Sequence, residues 1–348
     1  SIMPLTEDAL IFSEPYRNVG LELVRVTEEA AMAASRWIGS GNYQGAHMAA
    51  DHAMFNALCA AGINGVIEIG EESRAPGQEL LCGRPIIEGP LEAELDLALD
   101  PVDGTNLLIK GRPGAISVMG IAPRGAFLSP LPARYMDKIV VDREAADVLV
   151  PECMDAPAAW TLALVARVKK KPVRNLTVIV LARARHEELI EEIRATGARI
   201  ILREEGDVSG ALLAALVGTS ADILMGVGGA SQGVLSACAA KSLGGMMLAR
   251  LAPQSREERE EVEAAGLDLK KIYTCHDLVR SDNILFSATG ITNSELLKGI
   301  RVQGKFAHIE SLLVRSETGT RRFIHAERAL EHFTGPEWTA KQENQGVS

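Results

Sequence analysis

The sequence predicts an α/β fold, and three observations support this class. The chain has 348 residues, a length that suits one large or two medium domains. Its 47% hydrophobic and 24% charged residues are typical of a globular protein with a sizeable core. In the second half, apolar runs of strand length alternate with helical patterns, which is typical of α/β layers. The alternating segments are a strand at 176–181, a helix at 187–196, a strand at 199–202, a helix at 208–216, a strand at 223–227 and a helix at 231–242.

The first half is predicted to begin with two helices, at residues 21–38 and 46–61, where apolar residues recur near helical spacing. Short apolar runs at 66–69, 95–99 and 116–121 predict strands. We expect the second of these strands to end at the Asp-Pro-Val-Asp-Gly-Thr sequence that follows it, because proline and glycine interrupt the hydrogen bonds of a sheet. Farther along, the charge-rich residues 255–265 predict a solvated helix.

The overall charge limits the kinds of partner. The chain carries 36 lysine and arginine residues against 46 aspartate and glutamate residues, which gives a net charge of −10. Nucleic-acid binders and proteins of anionic membranes usually depend on a positive surface, so neither partner is expected. An anionic small molecule would have to be held by a few arginines or lysines, by backbone N–H groups or by metal ions.

Cysteine use and the absence of an apolar span predict a cytoplasmic location. The five cysteines contain no closely spaced pair, so a zinc or redox motif and a dense disulfide framework are not expected. Cys59 and Cys238 have alanine-rich neighbours and are expected to be buried. The longest uncharged stretch, 223–240, contains four glycines and polar residues, so it is a poor membrane span. The first residues also lack the pattern of a secretion signal.

The most informative segment is the Asp-Pro-Val-Asp-Gly-Thr sequence at residues 100–105. Asp100 and Asp103 lie where a predicted strand ends, so both carboxylates can approach one divalent cation, and the carbonyl of Val102 can join them. Gly104 lets the backbone come close to a ligand, and Thr105 offers a hydroxyl and an N–H to a phosphate or to an attacking water. The segment predicts a metal site, with a capped turn as the alternative.

Glu71 strengthens the metal-site interpretation. It follows a Gly at the end of another predicted strand, so its carboxylate could complete the same site. A strand followed by Gly-Glu upstream of the aspartate motif is harder to explain as two unrelated turns. We therefore favour the metal site over the capped turn.

Several further segments occur in a fixed order along residues 19–329. They are Gly-Glu at 70–71 with Ala-Pro at 75–76, the motif at 100–105, Tyr-Met-Asp-Lys at 135–138, Leu-Ala-Arg-Ala-Arg-His at 181–186, Glu-Gly-Asp-Val at 205–208, Gly-Val-Gly-Gly at 226–229 and residues 283–292. In this order they resemble the class II fructose-1,6-bisphosphatases, several of which also act on sedoheptulose-1,7-bisphosphate. That family belongs to the lithium-sensitive, metal-dependent phosphatase superfamily that includes inositol monophosphatase.

The resemblance implies a layered α/β/α/β/α fold of the inositol monophosphatase and fructose bisphosphatase type. It also implies a homodimer or homotetramer, a small phosphorylated sugar as substrate and Mg²⁺ or Mn²⁺ as cofactor. The implied catalytic residues are Glu71, Asp100, Asp103 and Thr105, with Thr105 orienting the nucleophilic water. The implied metal positions are Glu71, Asp100 and the Val102 carbonyl for a first ion and Asp103 for a second, with Gln232 and His47 also at the metal site. The implied substrate-binding residues are Gly104, Thr105, Tyr135, Arg183, Arg185, Glu205 and Asp207.

The two arginines of this set suit a phosphate. Arg183 and Arg185 are two residues apart, so on a strand end they would present the same face, and a guanidinium fork matches a phosphate dianion. The alternative is a pair of surface arginines beside the acidic helix at 187–192. The neighbouring His186 is expected to be a structural histidine rather than a catalyst.

The chain departs from the family pattern around the implied metals. His47 stands at an aspartate position, and Gln232 replaces a metal-binding carboxylate. An amide oxygen can still ligate Mg²⁺, but it lacks the charge that offsets the cost of dehydrating the ion. Imidazole would favour a later ion such as Mn²⁺. Smaller departures are Arg183 for a lysine, Glu205 for an aspartate and a shortened loop at 72–76 that gains Arg74.

These observations predict a metal-binding α+β half at 19–150 and an α/β substrate-binding half at 151–330, with an N-terminal extension at 1–18 and a tail at 331–348. The first hypothesis for function is a metal-dependent phosphatase that hydrolyses a phosphomonoester of a sugar bisphosphate. The alternative is a divergent paralogue with an impaired two-metal site. It would either perform another phosphosugar reaction or bind a phosphosugar in a regulatory role without turnover.

Overall fold

The structure is a computed structural model that describes residues 19–71, 76–90 and 92–332. The expected N-terminal extension at 1–18, residues 72–75 of the shortened loop with Arg74, and residues 333–348 of the expected tail lie outside the described residues. Within the described ranges, no helix is long and apolar enough to cross a bilayer.

The described ranges contain strands and helices throughout the chain. The strands are β1 Gly65–Ile69, β2 Leu95–Asp103, β3 Ile116–Pro123, β4 Tyr135–Val141, β5 Thr177–Leu181, β6 Arg199–Arg203, β7 Ile223–Gly229, β8 Met246–Leu251, β9 Tyr273–Thr274, β10 Leu285–Gly290, β11 Arg301–Gln303, β12 Phe306–Arg315 and β13 Thr320–Ala329. The helices are α1 Val19–Ser35, α2 Tyr43–Ala60, α3 Thr105–Ile109, α4 Ala158–Lys169, α5 Glu187–Ala195, α6 Asp207–Ala215, α7 Ala230–Ser242, α8 Arg256–Ala264 and α9 Cys275–Leu278. Short 3₁₀ turns lie at Ala146–Val148, Pro151–Met154, Val173–Asn175, Ala184–His186 and Leu330–His332.

In the described part of the chain, the strands form two sheets. The first has the order β1-β2-β3-β10-β12-β11, and β13 pairs with β12 along its whole length. The second has the order β6-β5-β7-β4-β8-β9, in which β6, β5 and β7 are parallel and the other pairs are antiparallel. Because β4 joins the second sheet and β10 to β13 return to the first, the sheets do not coincide with the halves expected at 19–150 and 151–330.

Helices flank and separate the two sheets in five layers. The outer face of the first sheet is covered by α1 and α2, where Leu23 and Met54 pack in one cluster with Leu97 of β2. Between the sheets, α7 contacts β2, β3 and β10 on one side and β4, β7 and β8 on the other, with α6 beside it. The outer face of the second sheet is covered by α4 and α5 through a cluster that includes Leu162 and Ile193. The predicted α/β/α/β/α arrangement is confirmed.

Every predicted helix and strand occurs, with ends displaced by a few residues. The strand beginning at Leu95 ends within the aspartate motif, as expected, but Pro101 does not interrupt it, since β2 continues to Asp103. Its pairing with β3 slips by one residue between Asp100 and Asp103, and this bulge accommodates Pro101 without a ladder hydrogen bond.

Of the two cysteines expected to be buried, one is buried and one is not. Cys238 of α7 is buried, as expected. Cys59 is exposed, because it lies in the last turn of α2, where Ala60 is also exposed. Alanine-rich neighbours therefore did not distinguish the buried face of α2 from its solvent face.

Candidate active site

An open cleft lies at the carboxyl ends of β2, β5, β6 and β7, the edge of an α/β sheet where ligands commonly bind. It measures about 720 Å³, a volume that includes space open to solvent. The cleft is lined by Tyr43, Asp100, Val102, Asp103, Gly104, Thr105, Tyr135, Leu181, Arg183, Arg185, Glu205, Gly206, Asp207, Gly228, Gly229 and Gln232. The structure thus brings together all the site residues implied by the resemblance except Glu71 and His47, which do not line it.

The carboxyl end of β2 carries the first group of these residues. Asp100 and Asp103 are buried in the strand. Gly104 follows with φ of 96°, a left-handed conformation that favours glycine, and turns the chain into α3. Thr105 is the first residue of α3, and its hydroxyl donates to the carbonyl of Val102 at 3.4 Å. The bulge and the glycine turn together bring both carboxylates and the threonine hydroxyl into the cleft.

The negative charge of the two aspartates is poorly balanced by the protein. Burial raises the pKa of Asp100 to about 8, and the neighbouring Asp103 and Glu71 add to this shift. Burial also raises the pKa of Asp103 to about 6, although the N–H of Ser209 donates to its carboxylate at 2.8 Å. Among the described residues, no lysine or arginine forms an ion pair with Asp100. An external cation would stabilise both carboxylates.

Glu71 lies beside the cleft and is paired within the protein. Its carboxylate is 3.2 Å from Nε2 of His47 on α2. This contact raises the pKa of His47, while burial opposes the shift. Nε2 also lies 3.4 Å from the side-chain amide of Gln78, and the buried Nδ1 has no hydrogen-bond partner among the described residues. A metal ion bound by Glu71 would therefore have to share or displace the imidazole.

Tyr43 is a cleft residue that the sequence analysis missed. It begins α2, one turn before His47, and the two rings stack with centroids 6.1 Å apart. Burial raises the pKa of Tyr43, and an interaction with the side chain of Thr105 opposes this shift. Tyr43 thus connects His47 to the residue implied to orient water. No signal in the sequence indicated it, because Tyr43 precedes the helix predicted at 46–61 and joins His47 on one helix only in the structure.

The two arginines reach the cleft from a turn rather than from a strand. The expectation that both lie on a strand end is wrong, because β5 ends at Leu181 and Arg183 precedes the 3₁₀ turn Ala184–His186 that contains Arg185. Both side chains nevertheless line the cleft. Among the described residues, neither forms an ion pair with a carboxylate, so their charge is available to an anion.

Arg185 is the better oriented of the two. Its Nε and Nη2 donate to the carbonyl of Val227 at 3.3 and 3.0 Å, and its guanidinium lies 5.2 Å from the ring centroid of Tyr135. Arg183 is half-buried and, within the described residues, donates to the carbonyl of Ala182 at 3.0 Å. A preorganised guanidinium loses less entropy when it binds a phosphate, so Arg185 is the stronger anchor.

His186 holds the turn that presents these arginines. Its Nδ1 lies 2.7 Å from the carbonyl of Leu181, and its Nε2 accepts from the N–H of Val227 at 2.8 Å. The side chain is buried, and burial lowers its pKa. The prediction of a structural histidine is confirmed.

Asp207 lines the cleft but already has a cation from the chain. Lys138 of β4, which is completely buried, pairs with its carboxylate. Gly228 lies directly against this pair, since a Cβ there would meet Oδ2 of Asp207 at 2.1 Å. The role of Lys138 was not predicted from the sequence, although a lysine directly before the apolar run 139–141 was a usable signal.

Glu205 and Gln232 complete the lining in different ways. Glu205 accepts from the backbone N–H of Asn106 at 2.9 Å and from its side-chain amide, so it ties the first turn of α3 to the β6–α6 turn. Gln232 lies in the first turn of α7. A Cβ on Gly229 would lie 2.0 Å from Oε1 of Gln232, so the glycine is needed to leave room for this amide.

The donors of the cleft fit a hard divalent cation. Carboxylates, a main-chain carbonyl and an amide oxygen are the ligand types that Mg²⁺ and Mn²⁺ prefer. Asp100 is also a buried carboxyl with a raised pKa that forms no ion pair with a described lysine or arginine, so a bound cation would favour its charged form. The ligand oxygens of Glu71, Asp100 and Asp103 do not all lie within 4.8 Å of one another. Val102 and Gln232 would therefore share the coordination with them.

Sequence comparisons match nearly the whole chain. A family model described as bacterial fructose-1,6-bisphosphatase, glpX-encoded, matches residues 17–328. A D-fructose 1,6-bisphosphatase class 2/sedoheptulose 1,7-bisphosphatase from Synechococcus sp. strain JA-2-3B'a(2-13) is 37% identical over 331 residues, covering 88% of this chain and 94% of the relative. A fructose-1,6-bisphosphatase class 2 from Haemophilus influenzae is 36% identical over 328 residues, covering 90% and 97%.

Solved structures match with lower similarity. One is the extragenic suppressor protein suhB from Bartonella henselae, with 14% identity, a TM-score of 0.32 and coverage of 57% of this chain and 71% of that chain. Another is an inositol monophosphatase from Zymomonas mobilis, with 15% identity, a TM-score of 0.33 and coverage of 57% and 73%.

Proposed function

This chain belongs to the glpX-encoded bacterial fructose-1,6-bisphosphatase family, and we propose that it hydrolyses one phosphomonoester of a sugar bisphosphate. The candidate substrates are those named for its relatives, fructose 1,6-bisphosphate and sedoheptulose 1,7-bisphosphate. The observation that carries the proposal is the distribution of charge in the cleft. At the acidic end of the cleft, Asp100 forms no ion pair with a described lysine or arginine, and Arg203 interacts with the neighbouring Asp103. At the arginine end, Arg183 and Arg185 form no ion pair with a described carboxylate.

In this proposal the arginine end holds the phosphate that does not react. Arg185, oriented by the Val227 carbonyl and the Tyr135 ring, forms charge-assisted hydrogen bonds with the phosphate oxygens, and Arg183 adds a second cation. Asp207 and Glu205 are fixed by partners within the chain, so they present defined acceptors to sugar hydroxyls.

The acidic end holds the phosphate that reacts. Glu71, Asp100 and the Val102 carbonyl would hold one Mg²⁺ or Mn²⁺, and Asp103 with Gln232 would hold a second. A cation bound there supplies Lewis-acid stabilisation of the phosphoryl oxygens and makes a bound water more acidic. Thr105 would orient the attacking water, because its hydroxyl lines the cleft beside the Val102 carbonyl, to which it donates at 3.4 Å. The P–O bond to the sugar then breaks, and the sugar leaves as an alcohol.

One contact favours a second candidate function. The 3.2 Å contact between His47 and Glu71 engages a proposed metal ligand with a side chain of the same protein. If this pairing outcompetes the metal, the cleft would bind a phosphosugar through its arginines without hydrolysing it, or would serve another phosphosugar reaction. The neutral Gln232 favours the same outcome, because it contributes no charge to a second ion.

Phosphate release separates the two functions. Purified protein is assayed with fructose 1,6-bisphosphate, sedoheptulose 1,7-bisphosphate and the corresponding monophosphates, each with Mg²⁺ or Mn²⁺. The hydrolase proposal expects release from at least one bisphosphate and a strict requirement for the metal. No release from any substrate with either metal would contradict it, and activity that appears only in a His47→Asp, Gln232→Glu double variant would establish the non-hydrolytic candidate.

Assembly, location and the identity of the metal remain predictions. A homodimer or homotetramer is checked by size-exclusion chromatography with light scattering, and a monomer would contradict it. A cytoplasmic location is checked by cell fractionation. The choice between Mg²⁺ and Mn²⁺ is decided by the metal dependence of the phosphate-release assay.

A further inference from the structure

The β12–β13 ribbon carries two histidines and two glutamates on one face. In its antiparallel register, His308 is opposite Glu327 and Glu310 is opposite His325. Residues two apart on a strand point to the same side of the sheet, so these four side chains form a two-by-two arrangement. The histidines occupy one diagonal and the glutamates occupy the other.

Three of these side chains direct ligand atoms at one point. Nδ1 of His308 lies 3.5 Å from Nε2 of His325 and 3.6 Å from Oε1 of Glu327. Among the described residues, this is the one group of three or more histidine, cysteine, aspartate or glutamate ligand atoms that all lie within 4.8 Å of one another. Two ring nitrogens and one carboxylate oxygen at this spacing need only small side-chain rotations to contact a single ion.

Glu310 lies next to the other ring nitrogen of His325 and can hold that ring in place. Its Oε1 lies 3.9 Å from Nδ1 of His325, the ring nitrogen that faces away from His308. The Oε2 of Glu310 accepts from the backbone N–H of Lys298 at 2.9 Å, so the carboxylate is held in place. A carboxylate on the second ring nitrogen is the usual partner of a metal-binding histidine, because it fixes the tautomer and makes the first nitrogen a stronger ligand.

We propose that His308, His325 and Glu327 form a surface site for a divalent transition-metal ion of the Zn²⁺ class. Two imidazoles and one carboxylate are a common zinc ligand set, and they leave a coordination position for water. Imidazole ligands select against Mg²⁺ and Ca²⁺. The site shares no residue with the cleft, so it stands or falls independently of the proposed phosphatase activity.

Neighbouring positive groups limit the affinity of this site. Arg301 of β11 is opposite His308, and the ammonium of Lys298 lies 4.0 Å from Glu310. The positive charges of Arg301 and Lys298 repel a cation bound at this site and so weaken its binding. Since His325 and Glu327 are well exposed, water also competes for the ion. Binding therefore requires an ion with a strong preference for imidazole.

A bound ion would join the last strand to the sheet. β13 pairs only with β12 in the described part of the chain, so it is an edge strand held by one ladder. An ion that links His308 of β12 to His325 and Glu327 of β13 adds a second connection. Because the ion binds the folded ribbon and not separated strands, Zn²⁺ should raise the unfolding temperature of the protein.

Titration of the tag-free protein with Zn²⁺ alone tests the proposal. Calorimetry of the wild type should show a Zn²⁺ equivalent that is absent from His308→Ala and from His325→Ala. Glu310→Gln should retain it with affinity reduced by about 10- to 100-fold, the usual cost of removing such a supporting carboxylate. With Co²⁺ in place of Zn²⁺, the visible absorption of a low-coordinate ion should follow the same order across the variants.

Two controls separate this site from others. His276→Ala removes an exposed histidine elsewhere and should retain the equivalent, and so should Asp100→Asn, which alters the cleft. Unchanged circular dichroism of the ribbon variants shows that they are folded. Equal Zn²⁺ stoichiometry and affinity in the wild type and His325→Ala would overturn the proposal, and so would loss of the equivalent in Asp100→Asn alone.

Discussion

Asp207 and Asp100 line the same cleft and are both buried, but their charges are balanced differently. Asp207 pairs with the fully buried Lys138. Asp100 is close to two other carboxylates, Asp103 and Glu71, and receives a hydrogen bond at 3.2 Å from the N–H of Val102. The chain therefore supplies a lysine to Asp207, whereas Asp100 has only the more distant influence of His47, which lowers its pKa, and is left to bind a cation from outside.

The two aspartates of one cleft therefore differ in how their charge is stabilised: Asp207 by the chain itself, and Asp100 by a ligand. A buried charge is tolerated when it is paired, and an unpaired buried carboxylate is costly. Without a ligand, the unpaired carboxyl of Asp100 lowers the stability of the folded protein. A bound metal ion restores this stability, so the loss is expected at a metal-binding site. Asp207, in contrast, is held in place by Lys138 whether or not a ligand is bound.

The largest expected effect comes from breaking the paired aspartate. Lys138→Met leaves Asp207 buried without a cation, and we expect the free energy of unfolding to fall by about 3–5 kcal/mol. Urea denaturation measures this loss. The double variant Lys138→Met, Asp207→Leu should recover most of it, because both charges are then gone. A single variant as stable as the wild type would show that the pair is not structural.

The second largest effect is expected at Asp100, the unpaired aspartate, where a substitution should change stability and activity in opposite directions. Asp100→Asn removes a poorly balanced buried charge, so unfolding in metal-free buffer should need at least as much urea as the wild type. Phosphate release should fall by about 100-fold or more, equivalent to the roughly 3 kcal/mol that metal-ion stabilisation can supply. Asp147→Asn, an exposed aspartate in the Ala146–Val148 turn, is the control and should change neither.

A smaller effect is expected at the arginine end. Arg185→Ala should raise KM for a bisphosphate by about 10-fold or more, since a charge-assisted hydrogen bond is worth about 1.5–3 kcal/mol. kcat should change little, because the phosphate held there does not react. Arg199→Ala removes an exposed arginine outside the cleft and should leave KM unchanged. Steady-state kinetics measure both constants. A fall in kcat without a rise in KM would contradict this role and indicate that Arg185 contacts the reacting phosphate.

The smallest effect is a dependence of stability on pH that comes from His186. Burial lowers its pKa in the folded state, so the unfolded chain binds a proton at a higher pH than the folded one. Its contribution is fully present above its ordinary pKa near 6.5 and is lost as pH falls below that value. Arg185 and Lys138 oppose the charged form, and Asp137 favours it.

The variant His186→Gln checks this dependence. Urea denaturation at pH 7.5 and pH 5.5 should show a smaller loss of stability on acidification in the variant than in the wild type. At pH 7.5 the variant should lose about 1 kcal/mol, the usual net value of a hydrogen bond such as the one from Val227. Identical pH dependence in both proteins would show that His186 does not titrate between the two states.

Much of the fold was readable from sequence because helical periodicity and short apolar runs mark many of its elements. The strands that were not predicted, such as β4 and β10, carry polar side chains at buried positions, for example Lys138 of β4. In β10 the buried polar residues Ser287 and Thr289 also obscure an apolar run. They are satisfied only by tertiary contacts, since both lie 2.8 Å from the hydroxyl of Thr27 on α1.

The residues that line the cleft could also be predicted, because they lie in short sequence segments. The motif at 100–105 and the segments at 181–186 and 205–208 are local, and each ends a strand at the same edge of the molecule. Pairings between distant segments were not readable. Lys138 with Asp207, His47 with Glu71 and Tyr43 with Thr105 join different elements, and no spacing in the sequence specifies which partner each side chain meets.

The central claim is that the cation for Asp100 comes from outside the protein. The most direct test is the effect of Mn²⁺ on the unfolding temperature of the wild type and of Asp100→Asn, with the metal-free proteins as references. We predict that Mn²⁺ raises the unfolding temperature of the wild type and that Asp100→Asn loses most of this increase. An equal increase in both proteins would contradict the claim.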